Sequence, residues 1–351
     1  MRIGIPKEIK PREGRVSLLP HHCAQLVSAG HEVFIQSNAG ELSGYSNQLY
    51  VDSGVTICES AADVFAEAEL IVKVKEPVEA DLALLKQQHI LFSYLHLAPA
   101  PELREKLQDI GLTAVAFETV TGQSGDLPLL QPMSLIAGRL AGQIGTHLLQ
   151  APMGGKGLLL GGIATTERGN VVVLGAGNAG AEAIDVVAGM GANVTVFDLD
   201  ANKLAGMQKR YPNVTALMPN PAQLHQAVAN ADLLIGAVLV AGSRAPVLVS
   251  DEMVHSMGKG SVIIDIAVDQ GGCIETIHPT DYREPTYLKH EVLHFGVTNM
   301  PGAVPKSASQ ALSAQLAPYV MAIAEGQLHS HAGLLAGINI EAGKVVHPAL
   351  K

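Results

Sequence analysis

The sequence predicts an α/β protein built from two doubly wound parallel-sheet domains, separated by a cleft and linked by long helices. Three observations predict it. A glycine-spaced run of strand, turn, helix and strand lies mid-chain, over 171–198. The residues ahead of it alternate β-like and helix-like segments, the pattern of a parallel sheet with helices on its faces. A chain of 351 residues is also long for a single core.

In the leading part, β-like runs fall at 2–5, 32–36, 70–74, 90–94 and 114–118. Amphipathic stretches at 61–66, 79–86 and 102–111 separate some of them. Residues 132–149 read as one long helix with Pro132 near its start, where a missing N–H costs nothing. It would link the two domains. The glycine-rich stretch 154–162 reads as a mobile loop. After the mid-chain run, further strands are expected at 214–217, 233–235, 261–266 and 292–297. Beyond Pro301 the pattern turns helical, over 307–325. That segment is too short to be a domain, so it should pack back on the first one. The predicted division is 1–130 plus 301–351, and 131–300.

Val171–Leu174 is apolar enough for a strand buried on both faces. Gly175 can take turn geometry that a side chain opposes, Gly177 lets backbone approach a pyrophosphate, and Gly180 lets the following helix pack close. A helix starting near Asn178 aims unpaired N–H groups and its positive end at phosphates. Asp198 closes the next β-like run, where a carboxylate accepts from an adenosine ribose and repels a 2′-phosphate. Asp200 adds to that repulsion. The second domain is therefore expected to be Rossmann-like and to bind NAD rather than NADP.

Composition narrows the class. Apolar residues make up 48% and charged residues 16%, as in a well-buried globular chain, and the formal charge of −10 argues against nucleic acid. No apolar stretch approaches the roughly 18 residues of a membrane span. The opening Met-Arg-Ile-Gly-Ile-Pro-Lys-Glu lacks the apolar core of a secretory leader. Cys23, Cys58 and Cys273 are odd in number and widely spaced, without a zinc or redox pattern. Together these point to the cytoplasm.

Four residues outside the glycine run could do chemistry. Arg15 follows the first strand; Lys75, His96 and Asp269 lie at or just past strand carboxyl ends, where open α/β sheets bind ligands. An Arg fork grips a carboxylate. A Lys donates to a carbonyl oxygen, a His shuttles a proton as hydride leaves carbon, and an Asp orients water or ammonia. A small 2-oxo or 2-amino acid would use all four. Each also has a plainer reading: Arg15 solvated in a charged turn, Lys75 in a surface pair with Glu76, His96 as a core histidine, Asp269 capping a turn before Gly271-Gly272.

The chain as a whole resembles the alanine dehydrogenase and transhydrogenase N-terminal family. Matching blocks include Gly4-Ile-Pro-Lys-Glu8, Arg15-Val-Ser-Leu-Leu-Pro20, Lys73-Val-Lys-Glu-Pro77, Tyr94-Leu-His-Leu97 and Pro132-Met-Ser-Leu-Ile-Ala-Gly-Arg139. Gly236-Ala-Val-Leu-Val240, Asp265-Ile-Ala-Val-Asp-Gln-Gly-Gly-Cys273 and Val297-Thr-Asn-Met-Pro301 complete the set, in family order. The resemblance implies reversible oxidative deamination of L-alanine to pyruvate and ammonium with NAD reduction. It implies that Arg15 and Lys75 bind substrate and that His96 and Asp269 are catalytic. It also implies cofactor contacts at Ser134, Lys203, Val238, Leu239, Ile266, Ala267, Val268, Asp269, Val297, Thr298, Asn299 and Met300. A homohexamer is the family's common assembly.

Two departures stand out. Arg12-Glu13-Gly14 precedes Arg15 where members often carry Asn-Glu before a variable residue, and Val16-Ser17 replaces the commoner Val-Ala. Some members carry a metal-binding Glu–His pair; none is legible near Tyr319 to Gln327, so no metal is expected. Transhydrogenase subunits and saccharopine-type dehydrogenases are the rival readings, and residues Tyr94, Leu129, Leu130 and Met133 would set side-chain size.

Overall fold

The computed structural model describes residues 1–238 and 245–351. Its two compact units are Met1–Met133 with Gly302–Lys351, and Ser134–Pro301. In the first unit, β1 (Arg2–Ile5), β2 (Glu32–Gln36), β3 (Thr56–Cys58), β4 (Leu70–Val72), β5 (Ile90–Ser93) and β6 (Thr113–Ala116) form a parallel sheet in the order β3-β2-β1-β4-β5-β6. The chain starts at the centre, winds out to β3, crosses back past β1 and winds out to β6. Ile3 pairs with Val33 on one side and Leu70 on the other. Ile3, Ile5, Val33, Leu70, Ile71, Val72, Leu91 and Phe92 are buried, as a sheet covered on both faces requires.

The second unit repeats the winding. Its strands are β7 (Asn170–Leu174), β8 (Asn193–Phe197), β9 (Val214–Leu217), β10 (Leu233–Gly236), β11 (Val262–Asp265), β12 (Thr286–Lys289) and β13 (Val292–Phe295), in the order β12-β13-β11-β10-β7-β8-β9. All pairings are parallel except β12 with β13. After Pro301 the helix Pro305–Ala324 leads to β14 (Ile338–Glu341) and β15 (Lys344–Val345). β14 joins the first sheet antiparallel to β6, and β15 pairs with β14.

The differences from the sequence reading have physical causes. β3, β12, β14 and β15 went unread because they are short and sit at or near sheet edges, without a long apolar run. The runs at 70–74, 90–94 and 114–118 leave the sheet early: β4 stops at Val72, β5 at Ser93, and Phe117–Thr119 turns into a 3-10 helix. The stretch 79–86 makes only one helical turn, Glu79–Leu82. Residues 154–162 carry specific ties, including Lys156 N–H to the Gly260 carbonyl and Lys156 Nζ to Asp232 Oδ1 at 2.6 Å. Among the described residues no helix is long and apolar enough to cross a membrane, and all three cysteines are buried and unbridged.

One helix carries an avoidable cost. A methyl group added at Gly206, inside the helix Ala201–Arg210, meets no atom within 4 Å. Gly206→Ala should raise the unfolding free energy by about 0.5–1 kcal/mol, because glycine loses more backbone entropy on entering a helix. Urea unfolding of the pair checks this; an unchanged or lower midpoint would contradict it.

Candidate active site

The glycine run forms a cradle. Gly175, at the end of β7, has φ 96°, and a Cβ there would sit 2.6 Å from the Ala237 carbonyl oxygen. At Gly180 a Cβ would lie 1.9 Å from the Gly175 carbonyl oxygen, so only glycine lets the helix Asn178–Gly189 start this close. Gly177 is that helix's N-cap. It offers no side-chain acceptor, and among the described residues nothing lies within 4 Å of where its Cβ would be. The first-turn N–H groups can thus take an anion.

Asp198 follows β8 and is aimed at this cradle. Its Oδ2 accepts from Ala176 N–H at 2.6 Å and its Oδ1 from Asp200 N–H at 2.8 Å. Two bonds fix its position and leave acceptor capacity for ribose hydroxyls. Ser134 lies in the helix Gln131–Leu148, which runs alongside the helix Asn178–Gly189. Added Cβ atoms at Gly138 and Gly142 would strike Ala179 and Val186 in turn. Ser134 is one turn before Gly138, which places it off the N-terminus that a phosphate would occupy. Lys203 lies in the helix after β8, its Nζ 4.0 Å from Asp200. Val238 follows β10, while Leu239 lies outside the described residues.

Ile266, Ala267, Val268 and Asp269 form a 3-10 turn, Ile266–Gln270, directly after β11. Asp269 is exposed, and its Oδ2 accepts from Asn299 N–H at 3.5 Å. Asn299 itself has φ 58°. Val297 is buried and bridged to Thr280, Thr298 donates its N–H to the Thr280 carbonyl, and the Met300 carbonyl accepts from the Tyr282 hydroxyl. The parallel sheet therefore gathers the residues after β7, β8, β10, β11 and β13 at one edge. Asp269 is not the cap of its turn. That task belongs to Asp265, which is 0% exposed and which sequence reasoning missed. Its Oδ1 accepts from Ala267 N–H at 2.8 Å and its Oδ2 from Cys273 N–H at 2.7 Å. Burial pushes its pKa up to about 6, against the lowering effect of those donors.

The first unit holds the other three candidates. Arg15 is only 2% exposed, which removes the solvated reading. Its Nε donates to Glu13 Oε1 at 2.7 Å, its Nη2 to Glu13 Oε2 at 2.5 Å, and its Nη1 faces Met133 Sδ at 3.2 Å. Burial alone would lower its pKa; the bonds to Glu13 outweigh that and raise it. The loop is bracketed by the returning helix. Ser309 Oγ accepts from Val16 N–H, Ser43 Oγ donates to the Gly14 carbonyl, and the two hydroxyls meet at 2.8 Å.

Lys75 is 17% exposed, with Nζ 3.6 Å from Glu76, so it is paired but mostly enclosed. Burial raises the Glu76 pKa, but Lys75 and Lys10 prevail and hold it below the ordinary value. Glu8 Oε1 accepts from Val74 N–H at 2.6 Å and Lys75 N–H at 3.3 Å, setting where Lys75 leaves the sheet. His96 is no core histidine: its side chain is 46% exposed and its backbone is left-handed, φ 50°. Glu118 holds that conformation by accepting from His96 N–H at 2.6 Å and from Leu95 N–H. The His96 ring stacks on Tyr94 with centroids 5.9 Å apart and planes 8° apart. Burial raises the Tyr94 pKa, while Arg15 opposes and Glu118 reinforces it. Tyr94 thus stands within the fields of both the Arg15 and His96 loops, and Glu8 acts on Arg15 while bonding Lys75. Glu118 carried no motif signal, and Glu8 and Glu13, though in or beside the matching N-terminal blocks, were not singled out as partners. Their partners are identified by fold, except that Glu13 lies two residues from Arg15.

Among the described residues no group of three or more His, Cys, Asp or Glu could hold a metal ion. Comparison with known proteins gives a consistent picture. Residues 4–137 match the family description "Alanine dehydrogenase/PNT, N-terminal domain" and residues 141–348 its C-terminal domain. The chain is 45% identical to an alanine dehydrogenase of Bacillus subtilis, covering 100% of this chain and 94% of that protein. It is equally 45% identical to one from Methanococcus maripaludis, covering 100% and 95%. A solved L-alanine dehydrogenase structure superposes with TM-score 0.96 at 48% identity, covering 100% of this chain and 98% of that one. A transhydrogenase from Sinorhizobium meliloti gives TM-score 0.85 at 26% identity, covering 99% and 100%.

Glu13→Ala should cost about 3–5 kcal/mol, because it removes the carboxylate that takes two N–H groups of the buried Arg15 guanidinium. Thermal and urea unfolding read the loss; a change within error would mean that Arg15 finds another counter-charge. A second expectation concerns pH. The folded Asp265 pKa lies above its unfolded value, so the stability it contributes is full below the unfolded value near 4 and is lost as pH rises through about 6. Asp265→Asn should remove that one-proton slope, about 1.4 kcal/mol per pH unit at most. Unfolding free energies of both proteins from pH 4.5 to 7 measure it, and parallel curves would contradict it.

Proposed function

The chain belongs to the alanine dehydrogenase/PNT family, and from that premise we propose that it interconverts L-alanine, NAD and water with pyruvate, NADH and ammonium. The observation that carries this reading is the enclosed Arg15–Glu13 pair. It sets a rigid cation beside Tyr94 and Met133, as a site for a small carboxylate needs. The Gly177 N-cap and Asp198 support NAD as the nucleotide.

The residues take these roles. Arg15 grips the pyruvate carboxylate. Lys75 donates to the keto oxygen and draws electron density from the carbonyl carbon. Asp269 accepts from ammonia and orients its lone pair toward that carbon. His96 moves protons as the carbonyl oxygen leaves as water and an imine forms. Bound NADH supplies the hydride that this carbon accepts, and NAD takes it back in deamination. Ser134 and the first-turn N–H groups of the helix Asn178–Gly189 would hold the pyrophosphate, and Asp198 the ribose.

Met133, Leu129 and Tyr94 enclose the substrate's methyl group. Leu129 is fully buried and its carbonyl accepts from the Tyr94 hydroxyl. A homohexamer accords with the family resemblance, and sedimentation measures it. The transhydrogenase reading draws on the TM-score of 0.85. It would require hydride exchange between nucleotides without any 2-oxo acid.

NADH oxidation with pyruvate and ammonium tests the proposal; a folded, NADH-binding protein without turnover would sink it. Pyruvate should exceed 2-oxobutyrate in kcat/KM by about 10- to 200-fold, since one methylene is worth roughly 1–3 kcal/mol. Equal values would place the methyl pocket elsewhere. Asp198→Ala should weaken NADH binding by about tenfold or more and narrow the preference over NADPH. Fluorescence titration with both nucleotides reads this, and unchanged affinities would move the ribose site away from Asp198.

A further inference from the structure

Asp265 is a carboxylate with no exposure, set among the buried side chains of Ala267, Cys273 and Ile274. An ionised group there is costly unless donors surround it. An aspartate that only starts a helical turn bonds an N–H two or three residues ahead. This one does that at Ala267 and also bonds Cys273 N–H, on the far side of the same loop. Ile274 N–H and the Cys273 thiol add to the set. One carboxylate therefore closes residues 266–272 into a ring.

Neighbouring backbone is shaped around it. A Cβ at Gly236 on β10 would fall 2.9 Å from Asp265 Oδ1 and 2.6 Å from Cys273 Sγ. Gly272, at φ 74°, passes so close that its Cβ would lie 2.9 Å from Oδ2. Within the ring, Ala267 and Val268 are buried while Asp269 is exposed. Asp269 cannot shift without moving backbone that Asp265 pins at both ends.

We propose that Asp265 is a positioning residue for the reaction, holding the Ile266–Gln270 turn so that Asp269 meets the substrate nitrogen in one orientation. This rests on the role of Asp269 given above. Asp265 touches neither substrate nor nucleotide and acts through the turn. Its removal should impair the chemical step and leave the Arg15 and Lys75 contacts to pyruvate intact.

The test is a double-mutant cycle of Asp265→Asn and Asp269→Asn, assayed well below each variant's Tm. Asn keeps the size of Asp265 but turns an NH2 toward one of the two N–H donors. Asp265→Asn should lower kcat by about 10- to 100-fold, as expected when a reacting group is misplaced, with KM for pyruvate within about threefold. Added to Asp269→Asn, it should cost no more than about threefold further, because the group it positions is already gone. Multiplicative losses, or a kcat within about twofold for Asp265→Asn alone, would overturn the proposal. If Asp269→Asn retains full kcat, the assigned role of Asp269 fails and the proposal with it, while pyruvate turnover by the unmodified protein still tests the overall function. Should Asp265→Asn not fold, Asp265→Ser serves in the same cycle. Serine keeps the Ala267 cap and loses the Cys273 tie, and the same losses are expected.

Discussion

Four carboxylates each accept two backbone N–H groups where the chain has left a strand. Glu8 does so for Val74 and Lys75, Glu118 for Leu95 and His96, Asp198 for Ala176 and Asp200, Asp265 for Ala267 and Cys273. The strands end where inter-strand bonding ends, so their last N–H groups need other acceptors. Charged acceptors make those bonds stronger than neutral ones would. They also let a residue such as His96 keep a left-handed backbone, which would otherwise relax.

The two sheets are wound alike, yet the helix after the first strand starts differently in each. In the second unit the first strand leads within a few residues into a helix that starts on Gly177 without a side-chain cap. In the first unit β1 leads to a long loop, and the helix Pro20–Ser28 starts on a proline, with Leu19 N–H donating to Ser313 Oγ. That end bonds protein. The loop carries the buried Arg15 guanidinium instead.

The winding, the cradle and the strand ends that bear Lys75, His96 and Asp269 were legible in the sequence, because each is local. Glycine spacing and short apolar runs lie within a few residues of one another. The carboxylate acceptors were not legible. Glu118 reaches His96 from the 3-10 turn after β6, and Glu8 reaches Lys75 from the loop after β1. Such pairs exist only once strands lie side by side. Asp265 was hidden for another reason: it belongs to the same motif as Asp269, and its burial, not its identity, sets the two apart. Arg15 was read too blandly, since a charged turn gives no hint that Glu13 will fold onto it and take both into the core.

The discontinuity of the first unit bears on the order in which the protein is made. β14 completes that unit's sheet against β6, and Ser309 and Ser313 take the N–H groups of the Arg15 loop. All of these residues lie near the end of the chain. A ribosome releases the second unit whole before the first can close, and domains tend to fold as units during synthesis. The glycine turn after β7 can therefore form on a nascent chain, whereas the Arg15 loop waits for the helix Pro305–Ala324. A chain cut short before the helix Pro305–Ala324 would lack Ser309 and Ser313, the partners that order the Arg15 loop.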